Sequence, residues 1–139
     1  MKKKLLVLAV FLFTLMAGPL MAQFQKSVDA VTDAQLAKEP ALTAIDVQNI
    51  IDLANGVAKF EEVQERLVFT EKFAKDRKIS NVRLRYIMEK VPCVLLYLED
   101  PAKEALFGGG KAWRRPTEAE KNLVKAKKDE LRQAIDQRS

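Results

Sequence analysis

The chain has 139 residues, with 24 Lys and Arg against 19 Asp and Glu, one Cys and no His. Without His there is no Ser-His-Asp or Cys-His nucleophile system, no HExxH zinc site and no His-ligated haem. One Cys allows no intramolecular disulfide, CxxC redox pair or Cys-rich zinc site, and the length is that of one domain.

Lys2, Lys3 and Lys4 open the chain, and an apolar run follows from Leu5 to Met16, interrupted only by Thr14. These 12 residues match the apolar region of an export signal. They fall short of the ~20 that cross a bilayer as a helix. Gly18 and Pro19 break the run, and Ala22 is a small residue suited to a cleavage site, although Leu20 stands where another small residue is preferred. The pattern predicts a cleavable signal peptide over 1–22, cut after Ala22, with a periplasmic or secreted product beginning at Gln23. An uncleaved anchor is the alternative; cleavage leaves no stable transmembrane span. The mature chain of 117 residues carries a net charge of +2.

Residues 23–41 are polar and read as a loosely held arm, with a weak capping box between Thr32 and Gln35. The helical domain is expected over 42–139. Thr43 is a good N-cap with Asp46 at its third position, and Leu42 and Val47 stand at hydrophobic-staple positions. Val47, Ile50, Ile51, Ala54, Val57 and Ala58 repeat at helical spacing. A second pattern holds Phe60, Val63, Leu67, Thr70, Phe73 and Ala74, with Glu early and Lys and Arg late, as the helix dipole favours. Whether residues 44–76 make one bent helix or two stays open, because Gly56 is a thin turn signal.

Ser80 caps the next helix, whose stripe of Leu84, Ile87, Met88, Val91, Val94, Leu95 and Leu98 marks the centre of the core. Pro92 within it predicts a kink or break. Asp100-Pro101 starts a short helix through Phe107, ended by Gly108, Gly109 and Gly110. Lys111 to Arg115 form a loop. Thr117 and Glu120 make a capping box for a last helix running to about Gln137. No segment alternates strictly, so the fold class is all-α: a single-domain bundle of four to five helices.

Gly108–Lys111 superficially matches a phosphate loop, but Ala105 and Ala112 stand where that loop needs Gly and Ser or Thr. The carboxylate pairs Glu61/Glu65 and Glu99/Asp100 lie among lysines on solvent faces. No cofactor or metal site is expected. Cys93 reads as a buried small hydrophobe, with an intermolecular disulfide as the alternative.

Charge is unevenly distributed: residues 72–90 hold seven basic residues against two acidic, and 111–139 hold nine against five. A basic face built from Arg83, Arg85, Lys90, Arg114 and Arg115, with Trp113 beside it, would suit an anionic envelope partner: a protein, a lipid headgroup or a cell-wall polymer. The plainer reading is a solvated surface with lysines at helix C-termini. Nucleic acid is not expected. The function expected is binding in the cell envelope without catalysis. The alternatives are a holdase-like periplasmic chaperone and an enzyme using carboxylates with Tyr86 or Tyr97.

Overall fold

The computed structural model describes residues 19–103 and 111–137, with side chains from Gln23 onward. Those residues hold seven α-helices and no strand. They are α1 (Pro19–Asp29), α2 (Asp33–Ala37), α3 (Ala44–Val57), α4 (Val63–Asp76), α5 (Asn81–Glu99), α6 (Glu118–Ala126) and α7 (Lys128–Asp136). Two 3₁₀ turns, Pro101–Lys103 and Ala112–Arg114, follow α5 and precede α6. Most of the expected leader, the rest of the short helix through Phe107 and the Gly108–Gly110 run lie outside the described residues.

The starts of the helices are written in their caps. Thr32 with Gln35, Thr43 with Asp46, and Thr117 with Glu120 each form a complete capping box. Ser80 accepts from the Arg83 amide at 3.1 Å and starts α5. These side chains satisfy amides that a helix start leaves without a partner. α4 ends differently. Lys78 sits at φ 57°, and the Ile79 amide reaches back to the Ala74 carbonyl at 2.8 Å. That is a Schellman closure with Lys where Gly is usual.

Residues 44–76 are therefore two helices, and Gly56 has a role inside the first. A Cβ on Gly56 would lie 2.1 Å from Phe69 Cζ, so the missing side chain lets the α4 ring press onto α3. The segment 23–41 differs from the loose arm expected of it. Phe24, Val28, Val31 and Leu36 are all buried, Leu36 completely. Four apolar residues spread through a polar sequence suffice, because α1 lies on α4 and α5 and α2 lies on α5.

α5 is the central element. Ile87, Val91, Val94 and Leu95 have no exposed surface. The helix runs through Pro92 without a break. Proline costs the bond its N–H would have made and crowds the carbonyl one turn back, while the burial of Val91, Val94 and Leu95 around it holds the remaining turns. The last helix, by contrast, is two. Lys127 leaves helical geometry at φ −115°, ψ 16°. After Val124 the next inward positions are Lys127 and Lys128, and a straight helix would drive both against the core. Beyond the break Leu131, Ala134 and Ile135 are buried and α7 packs along α3.

Candidate functional site

Positions 83, 86 and 90 of α5 fall on one side of the helix by its three- and four-residue spacing. Arg83 donates to the carbonyls of Pro40 at 2.6 Å and Ala41 at 3.1 Å, and pairs with Glu39 and Asp46. Asp46 is also the capping-box carboxylate of α3, so Arg83 fixes both the 39–41 loop and the start of that helix. Its guanidinium lies 4.8 Å from the Tyr86 ring centre. Arg85 donates to the carbonyls of Val28, Asp29 and Val31, at 2.9 to 3.2 Å, and to Glu89 at 2.8 Å. It thus caps the C-terminus of α1, where the dipole favours a cation.

Lys90 is the deepest of these cations. Its ammonium sits 2.8 Å from Glu120 and donates to the Tyr86 hydroxyl at 3.0 Å; the pair is 6% and 1% exposed. Glu120 also accepts from the Leu42 amide at 2.8 Å and the Thr117 amide at 2.9 Å. Burial pushes its carboxyl up, but the Leu42, Lys90 and Thr117 hydrogen bonds together with the Lys90 charge outweigh burial and hold it below the usual value. One carboxylate therefore joins α3, α5 and α6.

Trp113 packs on Tyr86 with ring centres 5.7 Å apart. Its indole N–H leans toward Asp33 without a hydrogen bond of ordinary geometry. Lys111 holds the Asp33 carboxyl low by pairing with it at 3.1 Å. Arg114 pairs with Glu89 and lies over the Trp113 ring, 5.2 Å from its centre. Arg115 is exposed. Cys93 is half-buried, and its thiol is pushed up to about 11, chiefly by burial.

The structure brings the residues singled out in the sequence together: Lys90 is buried, Arg83, Arg85, Trp113 and Arg114 are half-buried, and Arg115 is exposed. Arg83, Arg85, Lys90 and Arg114 each hold an ion pair, and Trp113 is packed on Tyr86. Four of these charges are thus engaged with carboxylates of the fold. Among the described residues no three His, Cys, Asp or Glu side chains cluster as metal ligands.

A different concavity remains open to solvent. Between α3 and α4 lies a groove of about 430 Å³, a size suited to a small ligand or a projecting side chain. Gly56 and Phe69 form its floor, and Phe60, Phe69 and Phe73 make a ladder with neighbouring ring centres 5.8 and 5.9 Å apart. Arg77 lies over Phe73, 4.3 Å from its centre, anchored at 2.8 Å to both Asn49 and Asp52. Asp76 also lines the groove. Lys59 and Lys72 stand exposed at the edge, and among the described residues neither has a carboxylate within ion-pair reach. The lining thus has three cations against two anions, two of the cations being unpaired. Helical spacing alone missed Phe69, because it sits beside the apolar stripe of α4. The signal available was Gly56 in an otherwise apolar face, with Phe69 and Phe73 four residues apart.

Comparison with family models, with curated proteins and with solved structures gave no match to this chain, so its fold and groove are read from its own residues alone.

Proposed function

We propose that the chain is an exported protein, cut after Ala22, that acts in the cell envelope by binding an anionic partner rather than by catalysis. The groove between α3 and α4 is the place of contact. The observation that carries this reading is the pair Lys59 and Lys72, without a carboxylate partner among the described residues, beside a ring ladder and a fixed Arg77. Among the described residues those two cations have no internal pair for an anionic group to break, whereas Arg83, Arg85, Lys90 and Arg114 would have to give up carboxylate partners. The holdase alternative calls for a contiguous apolar patch. Among the described residues the large apolar side chains most open to solvent are Ile45, 71% exposed, and Val68, 52% exposed, on separate helices. In an enzymatic reading Tyr86 would have to leave its contacts with Lys90 and Trp113.

The test is sedimentation of the mature protein with anionic liposomes and, separately, with cell-wall material. Wild type is expected to co-sediment with one of them in a salt-sensitive way, and K59E/K72E to lose most of that binding while melting at the wild-type temperature. Neutral liposomes are the control. No co-sedimentation by wild type with either material, or equal binding by the variant, overturns the reading.

A further inference from the structure

We infer that the mature chain carries a cyclised amino terminus, a pyroglutamate made from Gln23. The inference rests on the cut after Ala22 proposed above. That cut makes Gln23 the first residue, and a free N-terminal Gln holds a nucleophile and an electrophile one side chain apart. The α-amine attacks the side-chain carbonyl carbon Cδ. A bond forms between the backbone nitrogen and Cδ, the bond from Cδ to Nε2 breaks, and the amide nitrogen leaves as ammonia with a proton from the amine. The product is a five-membered lactam. The reaction uses no oxidant, reductant or second substrate.

In the structure Gln23 lies within α1, its nitrogen still joined to Ala22, and the proposed cut would free that nitrogen beside an exposed side chain while the turns beyond stay fixed. Gln23 is exposed, whereas Phe24 and Val28 are buried and anchor α1. The Gln23 carbonyl accepts from the Ser27 hydroxyl at 2.9 Å, so the residue stays helical on its carboxyl side. Its amine would sit in the first turn of α1. There the helix dipole works against a positive charge, which favours the neutral, nucleophilic amine. The shallow hollow beside Gln23 holds Glu71 and Lys75, but these already pair at 3.6 Å, so Glu71 is engaged before a terminal ammonium could claim it. Cyclisation removes the unfavourable charge and also closes the terminus to aminopeptidases.

Intact-mass measurement and stepwise N-terminal degradation of the protein from freshly harvested envelope fractions test this. The expected product begins at residue 23, is lighter by one ammonia than the free Gln23 form, resists degradation, and becomes degradable after pyroglutamyl aminopeptidase treatment. Gln23→Ser is expected to begin at the same residue, at full calculated mass, and to degrade normally. A wild-type product with a free Gln23 amine overturns the lactam while leaving the cut in place. A product beginning elsewhere overturns the proposed cut, and the lactam with it. The same spectrum tells these failures apart.

Discussion

Glu120→Gln removes one charge and almost no volume, and the structure says it should be severe. The carboxylate meets three donors: the Lys90 ammonium and the amides of Leu42 and Thr117. A carboxamide offers one acceptor oxygen and turns its NH₂ toward a donor. Lys90, one of the buried residues, is left charged without a counter-ion. Removing one partner of such a pair destabilises by about 3–5 kcal/mol. Total stability for a domain of this size is roughly 5–15 kcal/mol, so the variant should still fold with a much reduced margin. With a urea dependence of roughly 1–3 kcal/mol per molar, the unfolding midpoint should fall by about 2 M.

Trp113 is the only tryptophan and packs on Tyr86, so its fluorescence reports the transition close to the change. Lys90→Met should be costly alone, and Lys90→Met with Glu120→Gln should be less harmful than the two losses summed. The pH dependence has a definite sign. A carboxylate held below its ordinary 4.5 stabilises the fold fully above that value and loses the contribution as pH falls through the lowered folded-state value. Wild type and Glu120→Gln should therefore converge in stability on acidification from neutral. A loss under about 1 kcal/mol at neutral pH, or strict additivity in the double variant, would refute the buried-pair argument.

Two more outcomes come from local geometry. Gly56→Ala places a methyl where the Phe69 ring lies, and should cost about 1–3 kcal/mol in urea titration. Adding Phe69→Leu should recover part of the loss, and a neutral single variant would say that the ring moves freely. Cys93, with its thiol at about 11, should react with an aromatic disulfide at pH 8 far more slowly than free cysteine, and at an ordinary rate once urea unfolds the chain. Rapid reaction of the folded protein would contradict its burial.

Local signals carried furthest in the sequence. Thr43 with Asp46, Ser80, and Thr117 with Glu120 were legible because a cap needs only its own next three residues. The α5 stripe was legible because its burial is nearly complete and its spacing regular. What misled was anything decided by a distant partner. Arg83, Arg85 and Arg114 look like surface charge along the chain, yet Glu39 and Asp46, the last carbonyls of α1, and Glu89 meet them only after folding. Phe24, Val28, Val31 and Leu36 are too sparse to announce a helix pair, but α5 supplies the face that makes them core. The break at Lys127 depends on where α3 stands, which the sequence of the last helix does not record.

The placement of α7 bears on when this core can close. α7 lies along α3, and Gln137 hydrogen-bonds to Asn55, so a late helix covers an early one. Between these partners lies most of the protein, and joining them closes a long loop. A chain emerging from its amino end exposes the Ile51 and Ala54 side of α3 throughout synthesis, and covers it only when Leu131, Ala134 and Ile135 arrive. α7 is thus a late cover over the hydrophobic interior, and a premature stop just before Thr117 would remove Glu120 and α7 together.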